Sequence, residues 1–335
     1  MNLALRLALL CILGMATALP AQAADKKVCV YDPVGRAGPI FGFMEPWAKQ
    51  AEAWGASVEL KPYPDEATAI KDFDAGSCDA VAASGVRLQR FNKSSYTLEA
   101  LGGIPDYKLL GRSLVAVQKK DAYAWMFKSG SYEVAGVYPL GAVYAFVRDR
   151  SITSPSDLGG KKIATLDYDA TSKYVVNAIG GIMVGVDLST LGNTFNNGGA
   201  DVTFLPATAY TPFELWNGLG AGGAVVKYPI TQVTLQIMLK PADWPAGFAA
   251  KSRAFAADNF TVALGAVQKA EAEIPSKYWL TPSAEDAKAF DKLLRQYRKD
   301  LMDKGSYNAK VLALLKKGRC GSDATRKECA QEGNY

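Results

Sequence analysis

Short apolar strands alternate with amphipathic helices over residues 28–85, and this alternation constrains the fold more than any other feature of the chain. The predicted strands cover 28–30, 57–63 and 78–83, and the predicted helices cover 40–54 and 65–76. Each connection between successive strands holds a helix and is therefore long enough to join neighbouring parallel strands. The pattern predicts an α/β fold in which helices cover a largely parallel sheet.

The loop after the first strand holds the first candidate binding residues. Tyr31, Asp32 and Arg36 lie in this Gly- and Pro-containing segment, directly before the helix that starts near residue 40. Small ligands in open α/β sheets bind at the carboxyl ends of the strands, where helix N-termini present backbone N–H groups. The loop is therefore predicted to form one side of a ligand site.

A second strand, loop and helix of the same kind follow later in the chain. Residues 161–166 form a predicted strand, the polar loop after it carries Asp167, Tyr168 and Asp169, and a helix begins near residue 172. Apolar segments near 134–148 and 223–238 are predicted to cross between the two units. Two such units joined by crossing strands are typical of two lobes that close on a ligand by a hinge.

The remaining elements are predicted from the spacing of their apolar residues. Residues 109–117 and 202–205 are predicted strands, and a helix is predicted over 211–217, with Glu214 in its first turn. The C-terminal region is predicted to be helical, and its clearest helix covers 283–304.

Residues 1–23 have the organisation of a cleaved export signal. Arg6 precedes an apolar run over 7–18, and residues 21–23 form an A-x-A cleavage motif, so Ala24 is the expected first residue of the mature protein. The run is shorter than the ~20 residues that span a bilayer. We therefore expect an exported protein that works in the periplasm.

Four cysteines remain after cleavage, and an oxidising compartment favours disulfides between them. Cys320 and Cys329 lie close together in the polar tail and are natural partners, which leaves Cys29 and Cys78. The latter two open short apolar strands, and neighbouring parallel strands can bring them within bridging distance. The alternative is a pair of free buried thiols at 29 and 78.

The chain contains no histidine, which excludes Ser-His-Asp and Cys-His catalysis and the commonest zinc sites. Residues 218–223 fit G-x-G-x-x-G, but they follow a helix and precede a strand, the reverse of the order in dinucleotide-binding folds. Without Arg6, the formal net charge of +5 falls to about +4, which is too small and too evenly spread to indicate nucleic acid. We expect no catalysis, no cofactor, no metal ion and no nucleic-acid partner.

Five segments read, in chain order, VYDPVGRAGP, DAVAASGVRLQRFN, YEVAGVYPLGAVYAFVRDRSI, DLGGKKIATLDYD and FNNGGADVTFLPATAYTPFELW. Together they resemble the AdeT-like family of exported solute-binding proteins, some of which are assigned to RND-type efflux. The fourth segment is also distantly similar to the receptors of TRAP transporters. The resemblance implies a two-lobed clamp of the type II periplasmic-binding-protein class, with a helical C-terminal region.

One position departs from the TRAP receptors, which usually follow the G-x-K-[IV] strand with an Arg that binds the ligand carboxylate. Residues 160–163 read G-K-K-I in this chain, and Ala164 stands where that Arg would be. A carboxylate on the solute would then be recognised by Arg36, Arg87 or Arg90. A surface Arg bonded to a neighbouring acid is the alternative role for Arg36.

The candidate ligand-binding residues stand near strand ends or in the loops beside them. They are Tyr31, Asp32, Arg36, Ser84, Arg87, Arg90, Tyr138, Asp167, Tyr168, Asp169, Tyr210 and Glu214. Tyrosine suits a closing cleft because it offers an apolar ring and a hydroxyl, and simple packing is the alternative for each. A helix cap is the favoured role of Asp169, and an exposed acid favoured by the helix dipole is the alternative for Glu214.

The chain is thus predicted to consist of a signal peptide (1–23), lobe 1 (24–133), lobe 2 (134–231) and a return strand with C-terminal helices (232–335). The leading hypothesis is a monomeric periplasmic protein that captures a small organic solute between its lobes for integral-membrane transporter subunits. A carboxylate is the expected polar group of that solute. The alternative is a non-catalytic accessory protein of an RND-type efflux or envelope complex.

Overall fold

The structure of the protein, a computed structural model, describes residues 24–330 and 333, so the predicted export signal lies outside the described residues. The strands are β1 Ala24–Tyr31, β2 Ala56–Tyr63, β3 Ala80–Ser84, β4 Lys128–Ser129, β5 Tyr132–Val147, β6 Lys162–Leu166, β7 Ile182–Val186, β8 Val202–Pro206, β9 Ala224–Leu239 and β10 Trp279–Leu280. The α-helices are α1 Pro39–Ala51, α2 Glu66–Asp74, α3 Gly85–Leu88, α4 Lys93–Tyr96, α5 Tyr107–Lys119, α6 Ala170–Ala178, α7 Leu188–Asn196, α8 Trp216–Leu219, α9 Phe248–Asp258, α10 Phe260–Ala272, α11 Ala284–Asp303 and α12 Ala309–Ser322. Within this part of the chain, no helix is both long and apolar enough to cross a membrane.

The strands form one mixed sheet in the order β2-β1-β3-β9-β5-β8-β6-β7, with β4 and β10 paired beside β5 and β9. β1, β2 and β3 are parallel to one another, and β6, β7 and β8 form a second parallel group. β9 and β5 lie between the two groups and run antiparallel to β3 and β8 respectively. The α/β class and the two strand–loop–helix units predicted from the sequence are confirmed.

β5 and β9 connect the two parallel groups, and each is 16 residues long. β9 pairs with β3 through residues 235–239, β5 pairs with β8 through residues 143–147, and the two long strands pair with each other. The two predicted crossing segments are therefore continuous strands. The predicted lobe boundaries at 133/134 and 231/232 fall inside them, and the division of the chain at those residues stays a prediction.

Several helix ends follow the capping residues visible in the sequence. The Asp65 side chain accepts the Thr68 N–H at 2.7 Å at the start of α2, and the Ser283 hydroxyl accepts the Asp286 N–H at 3.0 Å at the start of α11. Gly305 follows α11 with a positive φ of 77°, a conformation that costs glycine little. The predicted helix over 283–304 is confirmed.

The segment 109–117, predicted as a strand, is part of helix α5. Leu110, Leu114 and Val117 are buried at intervals of four and three residues, which is the helical period. The Asp106 side chain caps the helix by accepting the Leu109 N–H at 2.7 Å. A short apolar run is compatible with both structures, and the cap just outside the run marks this one as a helix.

The segment 211–217 also differs from its prediction as a helix. Glu214 adopts a φ of 49°, outside the right-handed helical region. Asn196 of α7 donates from its side-chain amide to the Phe213 carbonyl at 2.9 Å and accepts the Gly218 N–H at 3.1 Å. A side chain from another helix thus takes up backbone groups of the segment, and no local sequence pattern reveals such a contact.

Both predicted disulfides are present. The Cα atoms of Cys29 and Cys78 are 5.8 Å apart, and those of Cys320 and Cys329 are 5.6 Å apart. Cys29 lies on β1, and Cys78 lies two residues before β3, the parallel neighbour of β1. The alternative of free buried thiols at 29 and 78 is therefore wrong.

Replacing Cys29 and Cys78 together by Ala is expected to cost more stability than replacing Cys320 and Cys329. The first pair is separated by 49 residues and the second by 9. Loop-closure entropy then gives losses of about 4 and about 3 kcal/mol in the free energy of unfolding. Urea denaturation of the two double variants beside the parent protein measures both losses, and the reverse order would contradict this assignment.

Candidate functional site

A cavity of about 220 Å³ lies between the two parallel groups, at the carboxyl ends of their strands. Tyr31 and Asp32 line it from the end of β1, and Ser84 lines it from the end of β3. Tyr168 and Asp169 line it from the loop after β6. The two strand–loop–helix units therefore face each other across one space, as the sequence pattern predicts.

Most of the cavity lining consists of apolar side chains. β5 contributes Val143, β8 contributes Phe204, α7 contributes Leu191 and α10 contributes Val267. Ala164 of β6 also lines the cavity, so a methyl group occupies the position where the TRAP pattern has an Arg. Among the described residues that form the lining, none is a Lys or an Arg.

Asp32 caps helix α1 and does not present a free carboxylate to the cavity. Its Oδ2 accepts the N–H groups of Ile40 and Phe41 at 2.7 and 3.0 Å, and its Oδ1 accepts the N–H of Val34 at 2.9 Å. Burial raises the pKa of the Asp32 carboxyl, while these three hydrogen bonds act in the opposite direction. The backbone N–H groups that this helix N-terminus was expected to offer to a ligand are thus bound by a carboxylate of the chain itself.

Four side chains connect the two units beside the cavity, and we call Glu66, Arg87, Tyr168 and Asp187 the interlobe clasp. Arg87 donates from Nε to Glu66 at 3.2 Å and from Nη2 to Asp187 at 3.3 Å. Its guanidinium carbon lies 3.3 Å from the centre of the Tyr168 ring, and the Tyr168 hydroxyl donates to Glu66 at 3.2 Å. Glu66 and Arg87 belong to the first unit and the other two to the second, so the clasp ties the units together.

Glu66 lies at the centre of the clasp, and its side chain is fully buried. Its Oε1 also accepts the Ser84 N–H at 2.7 Å. Burial raises the pKa of Glu66, and the Ser84 N–H and the positive charge of Arg87 counteract that rise. Arg87 therefore pairs with an acid of the protein itself, and it lies outside the cavity lining.

Asp169 caps helix α6, which is the role favoured for it from the sequence. Its carboxylate accepts the Thr171 N–H at 2.9 Å and the Ser172 hydroxyl, and burial raises its pKa against these bonds. Asp167, two residues earlier, is exposed, and its carboxylate lies against Gly185 of β7, outside the lining. Of the two acids, the structure places only Asp169 at the cavity.

Arg36 and Arg90 also lie outside the cavity lining. Arg36 is exposed, with its guanidinium carbon 4.9 Å from the centre of the Phe41 ring, and the carboxylate of Asp32 is engaged by backbone N–H groups. Arg90 forms an exposed ion pair with Asp74. The structure thus brings none of the three predicted arginines into the cavity.

Tyr138, Tyr210 and Glu214 likewise stand apart from the cavity lining. Tyr138 lies within β5 and is buried in the core, where desolvation raises its pKa. The Tyr210 ring packs against the Trp216 ring at 5.5 Å. Glu214 is exposed in the turn described above. For the two tyrosines, the packing alternative describes what the structure shows.

Two acids of the clasp are missing from the predicted site. Glu66 occupies the first turn of α2, where exposed acids are common, and Asp187 caps α7 by accepting the Ser189 N–H at 3.2 Å. Each residue therefore has an ordinary local explanation, and only the fold brings both to Arg87. The apolar lining was missed for a similar reason, because apolar periodicity does not distinguish a core position from a cavity position.

Comparison with known proteins identifies the family. The sequence model of the family described as "Solute-binding protein AdeT 1/2" matches residues 52–334. The chain belongs to this family. A relative from Acinetobacter baumannii, named "Probable solute-binding protein AdeT1", is 36% identical over 308 residues, which cover 90% of this chain and 99% of that protein. The AdeT-like resemblance is confirmed, and the cavity is that of a solute-binding protein.

Solved structures are similar in fold at low sequence identity. A TRAP periplasmic solute-binding protein from Desulfovibrio desulfuricans, with bound sn-glycerol-3-phosphate, has a TM-score of 0.71 at 12% identity and covers 91% of this chain and 99% of that one. Another, from Desulfovibrio salexigens with bound orotic acid, has a TM-score of 0.69 at 14% identity over 89% and 99%. The predicted two-lobed clamp is confirmed by this similarity.

The substitution Gly38→Ala is expected to destabilise the protein, because a Cβ at this position would lie 1.8 Å from Asp32 Oδ1. The carboxylate would have to leave the N-terminus of α1, and loss of such a cap costs about 1–2 kcal/mol. Gly42→Ala in the same helix is the matched control, since nothing lies within 4 Å of its Cβ and Ala favours a helix by about 1 kcal/mol. Thermal unfolding should shift down for Gly38→Ala and up for Gly42→Ala. An unchanged Gly38→Ala melting temperature would contradict the capping role of Asp32.

The substitution Arg87→Ala is expected to lower the free energy of unfolding by about 3 kcal/mol, because it leaves the buried Glu66 without its cation. Arg90→Ala is the matched control, since its ion pair with Asp74 is exposed and is worth at most about 1 kcal/mol. Adding Glu66→Gln to Arg87→Ala should recover part of the loss, because no buried charge then remains. Denaturant unfolding of the four proteins tests this, and equal losses for the two Arg variants would refute the clasp.

Proposed function

We propose that this protein is a periplasmic receptor that holds a small organic solute in the cavity between its lobes and presents it to a membrane transporter. The observation that carries the proposal is the cavity itself, which is lined by residues from both strand–loop–helix units. Membership of a solute-binding family and a fold shared with TRAP receptors support it. The solute is bound and released without chemical change.

The proposed mechanism is closure of the two lobes around the solute. β5 and β9 connect the two lobes within the sheet. Bending of these two strands can therefore change the distance between the cavity walls. A solute that contacts both walls favours the closed arrangement by its difference in affinity for the two states. The hydrogen bonds of the interlobe clasp also join the two lobes and favour the closed arrangement.

The proposal also includes a cellular location and a partner. Export by the predicted signal at 1–23 would deliver the chain to the periplasm, where it would act as a monomer beside integral-membrane transporter subunits. A non-catalytic role in an RND-type complex is the less favoured alternative, because it gives the cavity no task. The expectation of a carboxylate on the solute is supported only by the likeness to the TRAP receptors. The lining does not support it, because Arg36, Arg87 and Arg90 lie outside it.

Solute binding is expected to raise the melting temperature of the mature protein. A solute at one hundred times its dissociation constant adds about 2.7 kcal/mol, which corresponds to roughly 5 °C or more. The measurement is thermal unfolding across a metabolite library, together with native mass spectrometry for any co-purified small molecule. The receptor proposal loses its basis if no solute shifts the transition and no small molecule co-purifies.

Two substitutions on α10 link that shift to the cavity. Ala266 lines the cavity, so Ala266→Trp should fill it and abolish the solute-induced shift. Val262 lies one turn earlier on the same helix, is 68% exposed and is outside the lining, so Val262→Trp should retain the shift. A shift that survives Ala266→Trp would place the binding site elsewhere in the fold.

A further inference from the structure

We infer that the cavity selects an uncharged, largely apolar solute of about the size of one substituted ring, with a hydroxyl or a primary amide as its polar group. This inference rests on the proposed receptor function, and it replaces the carboxylate expected on the solute by a neutral polar group. It comes from three properties of the lining, which are its charges, the hydrogen bonds that its polar groups already make, and its volume.

The charged groups of the lining are acids only. Asp32 and Asp169 line the cavity, whereas Arg87 is turned to Glu66 and Asp187 at the clasp. The two lining carboxylates are compensated by the backbone N–H groups of the helices that they cap. A second anion in the cavity would therefore meet like charges and no cation, and burial of an unpaired carboxylate is strongly unfavourable.

Most hydroxyls of the lining already donate to the protein. Thr165, Thr208 and Thr231 each donate to a main-chain carbonyl oxygen. Ser172 donates to Asp169, and Tyr168 donates to Glu66. The oxygens of these hydroxyls can still accept a hydrogen bond, so this part of the lining can serve a donor on the solute but cannot serve a carboxylate.

One hydroxyl of the lining retains a proton to donate. The Tyr31 hydroxyl has no hydrogen-bond partner in the part of the chain that the structure describes, whereas the Ser84 hydroxyl accepts the Arg87 N–H and hydrogen-bonds to the Glu66 carboxylate. Both residues stand at the carboxyl ends of the paired parallel strands β1 and β3. One end of the cavity is therefore suited to a group that both donates and accepts, as an alcohol or a primary amide does.

Apolar side chains make up most of the remaining lining, and we call them the apolar wall. Val143, Leu191, Phe204 and Val267 belong to it, and Ala164 adds a methyl group. An apolar cavity of about 150 Å³ holds benzene, so the 220 Å³ here holds a ring with a short substituent. Burial of such a ring against this wall provides the affinity, and the polar end of the cavity sets the orientation.

Matched pairs of probes with the same carbon skeleton test the inference on the unmodified mature protein. The pairs are 2-phenylethanol with phenylacetate and benzamide with benzoate, measured at pH 7.5 by isothermal titration calorimetry and by thermal unfolding. The neutral member of each pair is expected to bind at least ten-fold more tightly than the carboxylate. Tighter or equal binding of the carboxylates would overturn the inference and leave the receptor function standing.

The pairs also separate failure of this inference from failure of the proposed function. If a co-purified or library solute binds in the cavity but neither member of a pair does, the solute class inferred here is wrong while the receptor function holds. If no solute binds at all, the proposed function fails first. In the first case, the Ala266→Trp variant checks that the solute binds in the cavity, because it abolishes only binding that occurs there.

A cation introduced into the cavity should reverse the preference. Ala164→Arg adds a guanidinium to the lining, so phenylacetate should gain at least ten-fold in affinity and 2-phenylethanol should lose affinity. Val262→Arg adds the same charge to the exposed face of α10 and should change neither value. Circular dichroism checks that both variants are folded, and an unchanged preference in folded Ala164→Arg would overturn the inference.

A smaller substitution tests the polar end of the cavity. Tyr31→Phe removes one hydroxyl without changing the ring, so the affinity for 2-phenylethanol should fall about five-fold, as expected for one neutral hydrogen bond. The affinity for toluene, which has no polar group, should stay the same. An equal loss for both probes would mean that Tyr31 contributes only packing, against the role assigned here.

Discussion

The antiparallel pairing of β5 with β9 is the constraint on which the rest of the structure depends. The two strands pair from Glu133 and Leu239 at one end to Val147 and Ala224 at the other, and each borders one of the parallel groups. Without this pairing the two strand–loop–helix units would be separate sheets with unpaired edges. With it, the carboxyl ends of both parallel groups meet at one cavity, and the same strands provide the connection about which the lobes can move.

The polarity of the cavity is set by acidic residues that bind backbone N–H groups and a guanidinium of the protein itself. Asp32 and Asp169 occupy the N-termini of the helices that flank the cavity, and Glu66 forms an ion pair with Arg87 beside it. Each is a site where an anionic ligand could otherwise have bound. What remains for a solute is an apolar wall and a few hydroxyls. A fold shared with receptors of acidic solutes is thereby combined with a lining of different chemistry.

Much of this arrangement was predictable from the sequence, and the failures have physical causes. The strands of the first unit, the loop carrying Asp169 with its cap and the disulfide from Cys29 were predicted correctly, because periodicity, capping residues and cysteine count are local or additive signals. The sequence predicts a strand over 109–117 where the structure has a helix, because a short apolar run fits both the strand period and the helix period. The sequence also makes Arg36 a candidate for the ligand, because nothing local shows that the nearby Asp32 carboxylate is already engaged.

The sequence by itself determined the α/β class, the positions of the two loops that face the cavity, the absence of histidine chemistry and the resemblance to a solute-binding family. Only the tertiary structure decided which side chains of those loops line the cavity. A side chain's partner is selected among all residues that the fold brings close, as Glu66 and Asp187 are brought to Arg87 across the lobes. Spacing along the chain carries no information about such neighbours. The chemistry of the cavity is therefore a property of the packed molecule, although the strand ends in the sequence predict its location.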